Sequence, residues 1–216
     1  MKHITVGLTG QTGSGKSTVS RVLSGNGIYV IDCDRLSRDI TSDGSECCKA
    51  LSKFFPSCFD ARLHLDRSAL GKVVFGDIEK LRQLNDCIFP FIRAEIDRRI
   101  EKAVYDGNHI VVLDAPTLFE AGADKQCDII ISCVSDEQDR LRRITVRDSL
   151  TDEQAKNRMS SQKSEEFFRA NSDIVIDNNS GEGGLRCAAL FLAEQLKGKA
   201  YGDKKEKKEK EKRQEQ

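Results

Sequence analysis

Long apolar runs are missing from this sequence. No window comes near the ~18 consecutive apolar residues that a spanning helix needs, so a helical membrane protein is excluded. Net charge is missing as well. The 35 basic side chains are matched by 35 acidic ones, which excludes a nucleic-acid binder steered by overall charge. Metal-ligand spacing is absent too. The eight cysteines, at positions 33, 47, 48, 58, 87, 127, 133 and 187, contain no C-x-x-C pair, and His3, His64 and His109 are far apart. A zinc site is therefore not expected. No signal-peptide pattern stands at the N-terminus, where the short run Ile4–Val6 leads straight into a glycine-rich turn. The expected compartment is cytoplasmic, where most cysteines would act as small reduced core residues. The adjacent pair Cys47-Cys48 is expected to be partly exposed. Internal repeats are also lacking.

What is present is room for one domain of ordinary size carrying a small insertion. Five short runs, several rich in Ile and Val, read as strands: Ile4–Thr9, Ile28–Ile31, His109–Asp114, Asp128–Val134 and Asp173–Asp177. They do not alternate in polarity, which suits strands buried on both faces of a parallel sheet. Helical patterns between them give an α/β alternation. Ser135-Asp136-Glu137-Gln138 and Thr151-Asp152-Glu153-Gln154 each read as a capping box opening a helix. Between the second and third strands, Ile78, Leu81, Leu84, Ile88, Ile92, Ile96 and Ile100 recur at three and four. That is one face of a helical hairpin or a kinked helix, interrupted at Pro90. The segment 203–216 holds seven basic and five acidic residues and nothing apolar, so it is expected to be a disordered tail or a frayed, salt-bridged helix.

The strongest chemical signal is Gly10-Gln11-Thr12-Gly13-Ser14-Gly15-Lys16-Ser17, a full match to G-x-x-x-x-G-K-[ST] between a strand and a helix. Small residues let successive backbone N–H groups turn toward one anion, and the helix N-terminus adds its positive end. Lys16 can reach the β- and γ-phosphates of a nucleotide, and the Ser17 hydroxyl can ligate Mg²⁺. The guanine motif N-K-x-D is absent, and the run ending at Asp114 continues Ala115-Pro116-Thr117 instead of D-x-x-G, so a GTPase is excluded. Chain length and an arginine-rich helical segment favour a kinase of small acceptors over a motor or transporter ATPase.

Three further groups of residues are candidates. Asp32 and Asp34 follow the second strand, at the carboxyl edge where ligands of open parallel sheets gather. Either could accept a proton from an acceptor hydroxyl or hold a water of Mg²⁺, and either could simply cap a helix. Arg140, Arg142, Arg143, Arg147 and Arg158 could form a helical lid, with Arg143 and Arg147 on one helix face. Guanidinium groups there would spread over the oxygens of a migrating phosphoryl group. Asp114, ending an apolar run, could hold Mg²⁺ directly or through water, or cap the next turn.

These motifs, in this order, resemble the dephospho-coenzyme A kinase family. The likeness runs from about Ile4 to Leu196. It rests on Val6-Gly7-Leu8-Thr9-Gly10 into the P-loop, Gly27–Asp34, and Asp114-Ala115-Pro116-Thr117-Leu118-Phe119-Glu120. It continues through Arg147-Asp148, Arg158-Met159-Ser160-Ser161-Gln162 and Asp173-Ile174-Val175-Ile176-Asp177-Asn178. The resemblance implies a three-layer α/β/α P-loop kinase fold with a five-stranded parallel sheet. Its kinase domain would span 1–202, with core segments 1–34, 107–139 and 171–198, a helical CoA-binding insertion at about 45–106 and a lid at about 140–170. It implies transfer of the γ-phosphoryl of ATP, with Mg²⁺, to the 3′-hydroxyl of dephospho-CoA. Asp34 matches the proposed general base, and Thr12, Gly13, Ser14, Gly15, Lys16, Ser17 and Thr18 match the phosphate site. Lys16 and the lid residues Arg143 and Arg147 would be catalytic, Asn178 would approach the adenine, and Leu118, Phe119 and Glu120 would lie near the acceptor. Mg²⁺ would sit among Ser17, Asp34 and Asp114. No membrane or nucleic-acid partner is expected, and the expected state is a monomer.

The sequence departs from the family pattern at Gln11 (a glycine in the family), at Phe89 (a histidine before Pro90) and at Phe168 (a lysine, for which the neighbouring Arg169 could substitute). Two alternatives stand beside this reading, the second kept open by Phe89 and Phe168. One is a kinase of the same fold acting on a nucleoside, nucleotide or shikimate-like acceptor. The other is a nucleotide-binding protein without turnover.

Overall fold

The computed structural model describes residues 3–214 except Phe75, with backbone only from residue 201 onward. The elements in chain order are β1 (Ile4–Gly10), α1 (Lys16–Gly25), β2 (Tyr29–Asp32), α2 (Cys33–Ile40), α3 (Glu46–Phe54), α4 (Arg67–Val74), α5 (Ile78–Tyr105), β3 (Ile110–Asp114), β4 (Ile129–Val134), α6 (Glu137–Asp148), α7 (Asp152–Ser160), α8 (Glu165–Ala170), β5 (Ile174–Asp177) and α9 (Gly181–Gln214). The five strands form one sheet in the order β2-β3-β1-β4-β5. Each falls where the apolar runs predict, because those runs are long enough for a strand and too short for a helix. β1 runs parallel to both neighbours, with Leu8 beside Asp114 on one side and Gly10 beside Cys133 on the other. Thr5 through Gly10 are all buried, as a strand covered on both faces must be.

Two compact units make up the chain: residues 1–30 with 103–216, and Ile31–Lys102. In the first, Val6, Leu8, Ile131 and Ile176 of the sheet pack with Val19 and Leu23 of α1. Leu185, Ala189, Leu192, Ala193 and Leu196 of α9 join them at helical spacing. A smaller cluster of Ile144, Ala155 and Met159 ties α6 to α7. The second unit has its own core of Cys47, Leu51, Phe55, Cys58 and Leu70, with Leu84, Ile88 and Phe91 of α5 against it. The insertion expected at 45–106 thus falls largely within a unit that begins earlier, at Ile31, and takes Asp32 and Asp34 with it.

Several expectations need correction. α5 is one continuous helix across Pro90 and not a hairpin; Pro90 is exposed while its neighbours Ile88 and Phe91 pack inward. Its apolar stripe is not buried throughout: Ile78 is 83% and Leu81 45% exposed, whereas Ile96 and Ile100 are buried. Cys47 and Cys48 are buried, and burial pushes the Cys47 thiol up to about 11. Of the two forms expected for the charged tail, α9 takes the helical one to Gln214, with Glu215 and Gln216 outside the described residues. Thr151 and Gln154 form the capping box expected of them, but Asp136, not Ser135, caps α6. Among the described residues no helix is long and apolar enough to cross a membrane.

Candidate active site

The P-loop leaves the end of β1 and turns into α1 within the first unit. Ser14 N–H bonds the Gln11 carbonyl at 3.1 Å, and Thr18 and Val19 N–H bond the Gly15 carbonyl at 2.9 and 3.3 Å, which starts the helix. Gly13 (φ +78°) and Gly15 (φ +99°) adopt left-handed backbone that disfavours other residues. They also have no room for one: a Cβ at Gly13 would stand 2.9 Å from the Arg140 carbonyl oxygen, and one at Gly15 would stand 2.5 Å from Asn178 Nδ2.

The loop is held from below. The Ser14 carbonyl accepts from Asn178 Nδ2 at 2.9 Å and from Cys133 Sγ at 3.1 Å, both buried. Burial pushes the Cys133 thiol up to about 11, so it stays a neutral donor. Arg143 supports the loop from the side. Its Nη1 donates to the Gly13 carbonyl at 3.1 Å and to Ser135 Oγ at 3.0 Å, and its Nη2 donates to the Asn178 carbonyl at 3.3 Å. Ser135 Oγ in turn donates to the Asn178 carbonyl at 3.0 Å. Arg140 is 6% exposed and donates through Nε to the Ser135 carbonyl at 3.0 Å, while its Nη1 is buried without a hydrogen-bond partner. Burial lowers its pKa from the usual arginine value.

Lys16 Nζ bonds Asp114 Oδ1 across the ends of β1 and β3, and both side chains are mostly shielded from solvent. Ser17 sits exposed in the first turn of α1. Hydroxyl and carboxylate oxygens at a helix N-terminus are the hard donors that Mg²⁺ takes. Among the described residues no three His, Cys, Asp or Glu side chains are grouped to hold a metal by themselves. A metal here would need the oxygens of a bound nucleotide as well.

The arginines expected to form a lid divide. Arg143 meets the P-loop, whereas Arg147 is exposed and makes a two-pronged ion pair with Asp148 at 2.7 and 2.8 Å. Arg158 joins the same carboxylate at 2.7 Å. The two guanidinium groups hold the Asp148 carboxyl below its ordinary value, Arg147 most of all. Arg142 pairs with Asp139 on the surface. Asn178, expected near the adenine, is 4% exposed and spends its amide on the loop. Asp32 caps α2 by accepting from Arg35 N–H at 2.9 Å, and Asp34 lies in the first turn of that helix, in the second unit. Phe168, where the family pattern has lysine, is buried and packs with Phe119 and Phe167. Arg169, the residue that could substitute for that lysine, is exposed beside it. It is bonded to Asp177 at 2.6 and 3.2 Å and to Glu165 at 2.9 Å. Phe119 is therefore a packing residue, with its ring 5.1 Å from Phe167, while Leu118 is fully buried and Glu120 exposed.

Three contributors escape a reading of the sequence. Ser135 reads as a helix cap, Gln162, whose Oε1 accepts from the P-loop Thr12 N–H, reads as part of a motif without a role, and the buried place of Arg140 is invisible in a charge-rich stretch.

Comparison with known proteins bears on this constellation directly. A dephospho-CoA kinase family model matches residues 4–183. A dephospho-CoA kinase from Fusobacterium nucleatum is 37% identical over 180 residues, which is 83% of this chain and 92% of that protein. A crystal structure from Thermus thermophilus superposes with a TM-score of 0.78 at 30% identity, covering 90% of this chain and 98% of the other. A dephospho-CoA kinase from Campylobacter jejuni gives 0.68 at 25% identity, covering 92% and 98%.

Proposed function

The chain belongs to the dephospho-CoA kinase family, and from that membership we propose that it transfers the γ-phosphoryl of ATP to the 3′-hydroxyl of dephospho-CoA, giving CoA and ADP. The observation that carries this reading is the P-loop itself, built at the ends of β1, β3 and β4 and braced by Asn178, Cys133 and Arg143.

Within Thr12–Thr18, backbone N–H groups at the N-terminus of α1 hold the phosphates of ATP. Lys16 exchanges its bond with Asp114 for the β- and γ-phosphates, and that exchange frees the carboxylate. Ser17 and Asp114 would hold Mg²⁺, which when bound supplies positive charge to the phosphate oxygens. Asp34 orients the 3′-hydroxyl and accepts its proton as the new O–P bond forms and the bond to the ADP oxygen breaks. Support for Asp34 is its place two residues beyond the end of β2, at the carboxyl edge of a parallel sheet. Arg147 moves from Asp148 to the migrating phosphoryl group, and Arg143 holds the loop in place for it. Positioning and charge stabilisation supply most of the rate gain.

The test is to mix the protein with MgATP and dephospho-CoA and to follow CoA and ADP by mass-resolved chromatography. Equal amounts of both products are expected, with none from Lys16→Ala and a kcat about 10²-fold or more lower in Asp34→Ala. Bound ATP without CoA would refute the acceptor assignment, and a near-normal Asp34→Ala would refute the base.

A further inference from the structure

Two hydrogen bonds join the start of the P-loop to the short link between α7 and α8. Gln162 Oε1 accepts from Thr12 N–H at 2.8 Å, and Gln11 Nε2 donates to the Lys163 carbonyl at 3.2 Å. Each crosses about 150 residues of sequence. In both, the donor is on the loop and the acceptor on the link, with the side chain supplied once by each segment, so two bonds between adjacent residue pairs hold the link to the loop at two points. Gln11 is 5% exposed, and its remaining carboxamide atom, Oε1, is buried without a partner. A buried amide left half-satisfied costs stability. Packing alone would be served as well by an apolar side chain of the same length. The link follows α7 directly, within the segment expected as a lid and next to the helices that carry Arg147 and Arg158.

We propose that Gln11 and Gln162 are positioning residues that clasp the lid, at the link after α7, to the P-loop, so that the lid arginines stand ready before nucleotide arrives. The inference rests on the proposed ATP reading for its kinetic consequence and on the two hydrogen bonds for its structural one. Breaking a clasp bond loosens the link locally without unfolding the chain, because the exposed Lys163 can give its carbonyl to water. Gln11→Met also removes the unpartnered acceptor, so its effect on overall stability is small while its effect on the link is not.

The test uses the full chain without ligand. Trypsin cuts after exposed Lys156, Arg158 and Lys163. One hydrogen bond is worth a factor of about 2 to 12 in an opening equilibrium. Gln11→Met and Gln162→Met should each speed cleavage at those three sites by about that factor, while cleavage within Ile31–Lys102 keeps its rate. Gln162→Glu keeps an acceptor oxygen and should cleave like the parent. In turnover, both methionine variants should raise the KM for ATP by a similar factor, with the smaller share of the change in kcat. Unchanged cleavage in both methionine variants would overturn the clasp, as would acceleration spread evenly over the chain or a lowered KM. If the kinase reading itself failed, no variant would turn over, yet the cleavage pattern would still decide for or against the clasp.

Discussion

Arg143 and Arg147 lie one turn apart on α6 and carry different burdens. Arg143 bonds three groups from separate segments, the Gly13 carbonyl, Ser135 Oγ and the Asn178 carbonyl, and needs a planar fork to do so. Arg147 is exposed and pairs with the adjacent Asp148, a surface contact that adds little to folding. Arg143→Lys should therefore lower both Tm and kcat/KM, whereas Arg147→Lys should lower kcat/KM and leave Tm in place. Thermal melts beside steady-state kinetics check this, and equal melts for the two variants would contradict the division. The sequence put both arginines on one helix face, which was correct as spacing. It could not show which of them the loop's carbonyl groups would claim, because that depends on residues 130 and 35 positions away.

At the scale of elements, α2 and α5 of the second unit are joined by ions as well as by apolar packing. Glu95 accepts from Arg98 at 2.7 Å and from Arg99 at 2.7 Å, and Arg99 also reaches Asp39 of α2 at 3.0 Å. Arg98 first, then Arg99, holds the Glu95 carboxyl down to about 2 against an ordinary value of 4.5. A depressed folded value means that the charged pair stabilises the fold above the unfolded value and loses its contribution as pH falls from about 4.5 toward about 2. Glu95→Gln should flatten the stability curve of the chain over that range, as read by urea unfolding at stepped pH. A variant curve parallel to the parent's would show that the pair adds nothing. The apolar period along α5 was legible in the sequence, and the burial of Ile96 and Ile100 follows it. Exposure of Ile78 and Leu81 does not, because periodicity marks a face without saying how far along the helix a neighbour covers it.

For the whole molecule, a ligand that binds only the folded state must raise its stability. At free MgATP 100 times its dissociation constant the gain is about 2.7 kcal/mol. Calorimetry should show Tm rising with MgATP in the parent chain and standing still in Lys16→Ala, which lacks the ammonium proposed to meet the phosphates. No rise in the parent would count against nucleotide binding altogether. The five strands, the α/β alternation, the P-loop and its family were determined by the sequence alone. Each is a local matter: a run of apolar residues sets a strand, and glycines with a following Lys-Ser set a phosphate turn whatever surrounds them. What tertiary structure decided is every contact between distant segments. It turned Ser135 from a cap into a strut, spent Asn178 on the loop and buried Phe168 in an aromatic cluster. It also gave Gln11 a partner at Lys163. Such bonds depend on where two chain segments meet, and residue type and spacing along one of them do not encode that.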